Sequence, residues 1–400
     1  MTLSIPLAAC ILGRGDTRLW GLDSRERIAR QLAACGVRRV LDDPRDAAED
    51  IDAVLLIDAA YLFEVRTFAA LLERGSSLLE CPANGRIAAA LAPRSELDAY
   101  LACLHDAGAP RPATATVLTP AGLEAYDRQL RKAAAPLLEP LTAARQGELE
   151  SKLYGNAYKG VTDLVTKWWW PRPARRIVGW CANAGITPNM VTLTGLALVV
   201  LATLLFYHGH FLAGLACGWI MTLLDTVDGK LARVTVMSSR AGHWLDHGMD
   251  IVHPPIWYVY WGLGLGADAI AGIPLTWVHW AVVGGYVGGR LVEALFHSLG
   301  HCGLFAWRPF DAYFRLVTAR RNPCLLILTP AALLGRPDLG LLGVAAWTVL
   351  TTGVLAVRLV HAGLVRLGGP PLDSWLKEPD AATRNARAYR TFAGTRSAYE

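Results

Sequence analysis

The sequence predicts a polytopic α-helical membrane domain, with six transmembrane helices and an amphipathic interfacial helix, preceded by a small soluble α/β domain. Three observations predict it. Of 400 residues, 53% are hydrophobic and only 18% charged, against roughly 25% charged in a typical soluble domain. The deficit lies in the second half, where 187–233 is nearly all apolar and its few charges cluster between Asp225 and Arg233. The first 150 residues instead carry an ordinary mixture of Asp, Glu and Arg, with short apolar runs alternating with helical patterns.

In the amino-terminal region (1–150), residues 4–12 form an apolar run closed by Gly13-Arg14-Gly15, which reads as a buried strand and a glycine turn. The start lacks a basic n-region and reads as strand rather than as a signal peptide. Residues 25–36 have helical spacing, with Ile28, Leu32 and Cys35 on one face. Residues 53–57 form a second buried strand, closed by Asp58, so a mostly parallel sheet is expected. The stretch 85–145 is rich in Ala and Leu and reads as helical. Cysteines at 10, 35, 81, 103, 181, 217, 302 and 324 show no metal-ligand spacing, which suits a reducing cytosol.

Residues 155–182 mix Trp168, Trp169 and Trp170 with Lys167, Arg172, Arg175 and Arg176. Tryptophan favours the headgroup zone and arginine meets lipid phosphate there, so an interfacial helix is expected. The membrane domain (183–367) then holds spans at about 187–208, 211–233, 239–265, 271–298, 324–337 and 340–364, most of them near the ~20 residues needed to cross hydrocarbon. A polar tail (368–400) follows. Lys230, Arg233, Arg240, Arg308, Arg315, Arg320 and Arg321 fall on one side and only Arg336 on the other. The positive-inside rule puts both termini and the charged motif in the cytoplasm, with a bacterial inner membrane as the expected location. The net charge of +5 is not gathered into a nucleic-acid-binding stripe.

The chemistry is carried by Asp225, Asp228, Asp246 and Asp250. Four carboxylates at membrane depth need pairing or cations. Asp225 and Asp228 are i, i+3 neighbours, and Asp246 and Asp250 are i, i+4 neighbours. A helical hairpin bending near 234–240 points the pairs at one another, forming an oxygen cage for two Mg²⁺ or Mn²⁺ ions that clamp a diphosphate. Gly229 and Gly242 leave space for a ligand, and Arg233 offers a phosphate fork. His243 and His247 flank Asp246 at a spacing that zinc could use, but they read as supporting or interfacial groups. Arg290 and Glu293 read as a buried pair. Arg240, Arg290, Arg320 and Arg321 are the candidate anchors for an acceptor.

The pattern D-x2-D-G-x2-A-R-x8-G-x3-D-x3-D, running from Asp225 to Asp250, resembles the signature of the CDP-alcohol phosphatidyltransferase family at every specified position. The resemblance covers about 155–365. It implies that Asp225, Asp228, Asp246 and Asp250 hold two metal ions and that Asp250 takes the proton of the acceptor hydroxyl. Gly229, Ala232, Arg233 and Gly242 would line the CDP site. The partners implied are a CDP-alcohol donor, with CDP-diacylglycerol the one expected, a polar or phosphorylated alcohol acceptor, the bilayer and a second copy of the chain. The loop Gly13-Arg14-Gly15-Asp16-Thr17-Arg18-Leu19, with Asp58, resembles in weakened form the nucleotide loop of sugar-phosphate nucleotidyltransferases. Some inositol-phosphate-type relatives carry such a domain in front. Here Asp16 interrupts the loop and no Pro-Lys pair follows Leu19, so a degenerate domain is expected. The competing readings are a bifunctional enzyme with an active cytidylyltransferase, and a non-enzymatic cation-binding membrane protein or transporter.

Overall fold

A computed structural model describes residues 7–15, 17–237 and 240–394, with the backbone alone at 240, 241, 243–247, 381 and 385. The amino-terminal unit runs β1 (Leu7–Leu12), α1 (Ser24–Ala34), β2 (Val40–Leu41), β3 (Ala53–Asp58), β4 (Tyr61–Phe63), α2 (Val65–Arg74), β5 (Ser77–Glu80), β6 (Ile87–Pro93) and α3 (Leu97–His105). Short strands β7 (Thr116–Leu118), β8 (Tyr126–Asp127), β9 (Lys132–Ala133) and β10 (Leu138–Pro140) follow. The main sheet has the order β2-β1-β3-β6-β5-β7. Three of its five pairings are parallel, and the sheet is mixed because β6 runs antiparallel to both β3 and β5.

Strand β6 (I-A-A-A-L-A-P) corrects the helical reading of 85–145. Ala88, Ala89, Ala90 and Ala92 are fully buried in mid-sheet, with α1 and α2 side chains on one face and α3 on the other. Small side chains let both layers approach. The helix preference of alanine, a few tenths of a kcal/mol per residue over its neighbours, loses to that burial.

Helix α4 (Gln146–Asn156) and a π-turn at Val165–Trp169 lead into α5 (Pro171–Asn183). The helix expected at 155–182 therefore starts at Pro171, not near 155, where proline pre-sets the first helical turn. Ala174, Val178 and Cys181 face inward, while Trp168, Trp169 and Trp180 are more than half exposed. Six longer helices follow: α6 (Pro188–Tyr207), α7 (Phe211–Val234), α8 (Arg240–Gly264), α9 (Leu275–His297), then, after the amphipathic α10 (Pro309–Val317), α11 (Arg321–Leu333) and α12 (Pro337–Leu367). Among the described residues, three of them (α6, α7 and α12) are long and apolar enough to cross a membrane. Helix α11, with 13 residues, is about 20 Å long and too short to cross ~30 Å of hydrocarbon unaided. Helices α8 and α9 reach the length but carry Asp250, Arg290 and Glu293.

The two units share one apolar cluster. Leu19, Trp20 and Leu62 pack with Tyr154 and Tyr158, and with Val191, Val227, Leu231 and Val234 from α6 and α7. Arg27, buried in α1, donates to Val234 O at 2.7 Å and Leu19 O at 2.6 Å. Arg30 donates to Thr235 O at 2.8 Å. The last carbonyls of a helix have no partner within it, so the amino-terminal unit caps the end of α7 across some 200 residues of sequence. Residues 368–394 are no free polar tail: Leu376 and Phe392 are fully buried, and Lys167 lies 5.1 Å over the Phe392 ring.

Lys132, on β9, is buried beside Gly160 and donates to Asn156 O. A Cβ on Gly160 would run into the backbone of Phe392 and Arg131, so only glycine fits that crossing. Burial pushes the Lys132 amine down to about 8. The unfolded chain, titrating near 10.4, then binds more protons between those values, and stability rises with pH across that window. Relative to a Lys132→Met protein, the wild type is expected to gain at most about 3 kcal/mol between pH 8 and 10.4. Detergent unfolding curves at stepped pH check this. Parallel curves for the two proteins would contradict it.

Candidate active site

The charged end of α7 places Asp225 and Asp228 one turn apart, α8 brings Asp250 alongside, and the first residue of α11 is Arg321. Arg321 Nη2 lies 2.7 Å from Asp225 Oδ2, and its Nη1 lies 2.8 Å from Asp250 Oδ1. Carboxylates from two helices thus converge on one cation. Asp228 is buried, and its Oδ2 accepts from Thr192 Oγ1 at 2.7 Å. The side chain of Asp246 lies outside the described residues, as do those of Arg240, His243 and His247. Among the described residues, no three His, Cys, Asp or Glu side chains form a ready cage. The donor set still fits a hard divalent ion, since it is all carboxylate and a guanidinium already stands as the cation between two of its members.

Beside the carboxylates opens a cavity of about 830 Å³. The membrane unit lines it with Asn189, Thr192, Asp228, Gly229, Ala232, Arg233 and Gly242, so the residues expected at a CDP site share one space. A Cβ on Gly229 would lie 3.1 Å from Arg233 Nη2, crowding the guanidinium. Arg233 Nε donates to Ala157 O at 2.8 Å, and Lys230 stacks 3.5 Å over the Tyr158 ring. Residues 185–298 match the model of the CDP-alcohol phosphatidyltransferase family. They form a domain of that family.

Three relatives illustrate its range. Cholinephosphotransferase 1 of Danio rerio is 32% identical over 125 residues, 28% of this chain and 31% of that one. Archaetidylinositol phosphate synthase of Pyrococcus horikoshii is 39% identical over 80 residues, 20% of this chain and 42% of that one. Phosphatidylinositol phosphate synthase of Mycobacteroides abscessus is 35% identical over 96 residues, 22% of this chain and 44% of that one. The chain thus spans under half the length of these curated relatives.

The acceptor candidates are arranged differently from the sequence expectation. Glu293 pairs with Arg320 rather than Arg290, and Arg290 Nη2 donates to Tyr286 Oη at 3.0 Å. Tyr286 in turn donates to Asp250 O at 3.2 Å. The i, i+3 spacing of Arg290 and Glu293 concealed the choice, because Arg320 arrives from a loop 27 residues further on. Arg131 and Arg315 lie close enough to Arg290 to interact electrostatically. Arg131 holds a left-handed backbone, φ 50°, at the tip of the β8–β9 hairpin, a costly conformation for a non-glycine residue and one that clusters at functional sites. Asp163 fixes the neighbour of Arg321, accepting from Asn322 Nδ2 at 2.9 Å and from Thr166 Oγ1 at 2.8 Å. Thr192, Asn189, Asp163 and Arg131 carried no functional signal in the sequence.

In the amino-terminal unit, Gly13 (φ 71°) and Asp58 do meet, because β1 and β3 are parallel neighbours. Arg25, from α1, closes over the start of the loop: its Nη1 donates to Ile11 O and Gly13 O, each at 2.8 Å. Gly15 packs so tightly on Ser24 and Ala59 that a Cβ would fall 2.7 Å from both. Arg18 is exposed, and Asp16 lies outside the described residues.

Proposed function

We propose that this chain is a membrane transferase that moves a phosphatidyl or phospho-alcohol group from a CDP-alcohol, CDP-diacylglycerol by preference, to an acceptor hydroxyl, in phospholipid synthesis. The observation that carries the proposal is the convergence of Asp225 and Asp250 on one cation, beside a cavity lined by the flanking Gly, Ala and Arg residues of the signature. Asp225, Asp228, Asp246 and Asp250 would hold Mg²⁺ or Mn²⁺. Bound there, the metal supplies positive charge against the diphosphate and the charge that builds as it breaks. Arg233 holds a phosphate oxygen through its fork. Asp250 takes the proton of the acceptor hydroxyl, whose oxygen bonds to the phosphorus distal to cytidine. The bridging P–O bond breaks and CMP leaves with its electron pair.

Arg290, Arg320 and Arg321 lie on the side of Asp250, joined by Arg131 and Arg315, and this excess of guanidinium favours an acceptor carrying an anionic group. A phosphorylated polyol such as inositol phosphate or glycerol phosphate fits best. The closed loop around Gly13 favours an amino-terminal domain that does not itself turn over CTP. Orientation with the site in the cytoplasm and assembly as a homodimer complete the reading. The test is CMP release from CDP-diacylglycerol with inositol phosphate, glycerol phosphate, inositol and choline as acceptors. The phosphorylated acceptors are expected to turn over at least tenfold faster. Equal rates with choline would refute the anionic acceptor.

A further inference from the structure

The cavity beside the signature is only half built by the membrane unit. Its opposite wall comes from the amino-terminal domain and the helix after it: Gln31, Glu64, Arg66, Asp127, Arg128 and Asn156. This placement is fixed, since α1 is pinned to the end of α7 by Arg27 and Arg30. On that wall, Glu64 is held from two sides. Arg66 Nε lies 2.7 Å from Glu64 Oε2, and Asn156 Nδ2 donates to Glu64 Oε1 at 2.8 Å. One brace comes from α2 and the other from the end of α4, so the carboxylate sits at the seam between the two units. Each of its oxygens keeps a second lone pair for a ligand.

Charge orients what enters. The diphosphate belongs at the other wall, with Arg233 and the aspartate cluster that the transferase reading assigns to cations. On this wall Arg66 and Arg128 balance Glu64 and Asp127, so it offers phosphate no excess of cations, and its braced carboxylate suits a neutral group rich in O–H and N–H donors. The nucleoside half of a CDP-alcohol is such a group, and a fixed carboxylate is the ordinary receptor for ribose hydroxyls. We propose that the amino-terminal domain completes the donor site in cis, with Glu64, braced by Arg66 and Asn156, receiving the ribose hydroxyls of the CDP group. The domain is then part of the transferase's own binding site rather than a second enzyme. This inference rests on the transferase reading above.

The test compares binding of CMP and 2′-deoxy-CMP to the full-length protein in detergent with Mg²⁺, for wild type, Glu64→Ala and Glu64→Gln. Wild type is expected to favour CMP on the order of tenfold, the worth of one hydrogen bond to a charged group. Glu64→Ala is expected to bind the two nucleotides alike, and Glu64→Gln to keep a preference below about threefold, since a neutral amide accepts more weakly. Each ratio is taken on one sample, so a loss of folded protein cancels and cannot imitate the result. A purely structural Glu64 would weaken both ligands equally and leave the ratio at its wild-type value, which would overturn the proposal. Equal binding by wild type would also overturn it while leaving the transferase reading standing. Failure of wild type to bind either nucleotide would overturn both.

Discussion

Asparagine in place of Asp250 is expected to slow CMP release about 10³-fold, within the 10²–10⁴ range that a positioned general base contributes. The change is nearly isosteric. Asn Oδ1 can still accept from Arg321, whose Nη1 lies 2.8 Å from Asp250 Oδ1, and Tyr286 bonds the Asp250 backbone carbonyl rather than its side chain. The helix and its neighbours should therefore stay in place. On the proposed reading, what is lost is the group that takes the proton and one charge of the cation site. Steady-state rates in detergent, with unfolding midpoints for both proteins, separate chemistry from folding. A rate within tenfold of wild type in a folded Asp250→Asn protein would show that another group takes the proton.

Removing Arg321 should act first on stability. Its guanidinium spans Asp225 and Asp250, and its own side chain is 13% exposed. Deleting one member of a fully buried ion pair costs about 3–5 kcal/mol, because the partner is left uncompensated. Here the Asp250 side chain is 40% exposed, so solvent screens part of the loss and about 2–3 kcal/mol is expected for Arg321→Ala in EDTA. If the same carboxylates bind a divalent ion, millimolar Mg²⁺ restores much of that stability by binding only the folded form. The wild type should gain less, since its own guanidinium competes for the position. Unfolding curves in EDTA and in Mg²⁺ check both halves. An Arg321→Ala protein as stable as wild type in EDTA would show that the bridge carries no weight.

The parts of the site legible in the sequence are those whose meaning is local. Asp225, Asp228 and Gly229 sit at helical spacing on α7, and Thr187-Pro188 marks the start of α6, where Thr187 caps the helix. The groups that steady them were not legible, because each acts through docking between distant segments. Arg27 looks like any arginine of an amphipathic helix until α1 meets Val234. Thr192 looks like one more small residue of an apolar span until α7 presents Asp228. Strand β6 was hidden by its alanines, and the docking of Phe392 by a polar neighbourhood. In each case tertiary burial overrode the local signal.

The central claim is that these carboxylates serve a metal-dependent transfer from a CDP-alcohol. Its most direct test is CMP release from CDP-diacylglycerol by the full-length protein in detergent, with a phosphorylated polyol acceptor, in Mg²⁺ and in EDTA, for wild type and Asp225→Asn. The expected result is release by wild type only when both Mg²⁺ and acceptor are present, and near-complete loss in Asp225→Asn. Release that persists in EDTA, or no release with any acceptor, would contradict the claim.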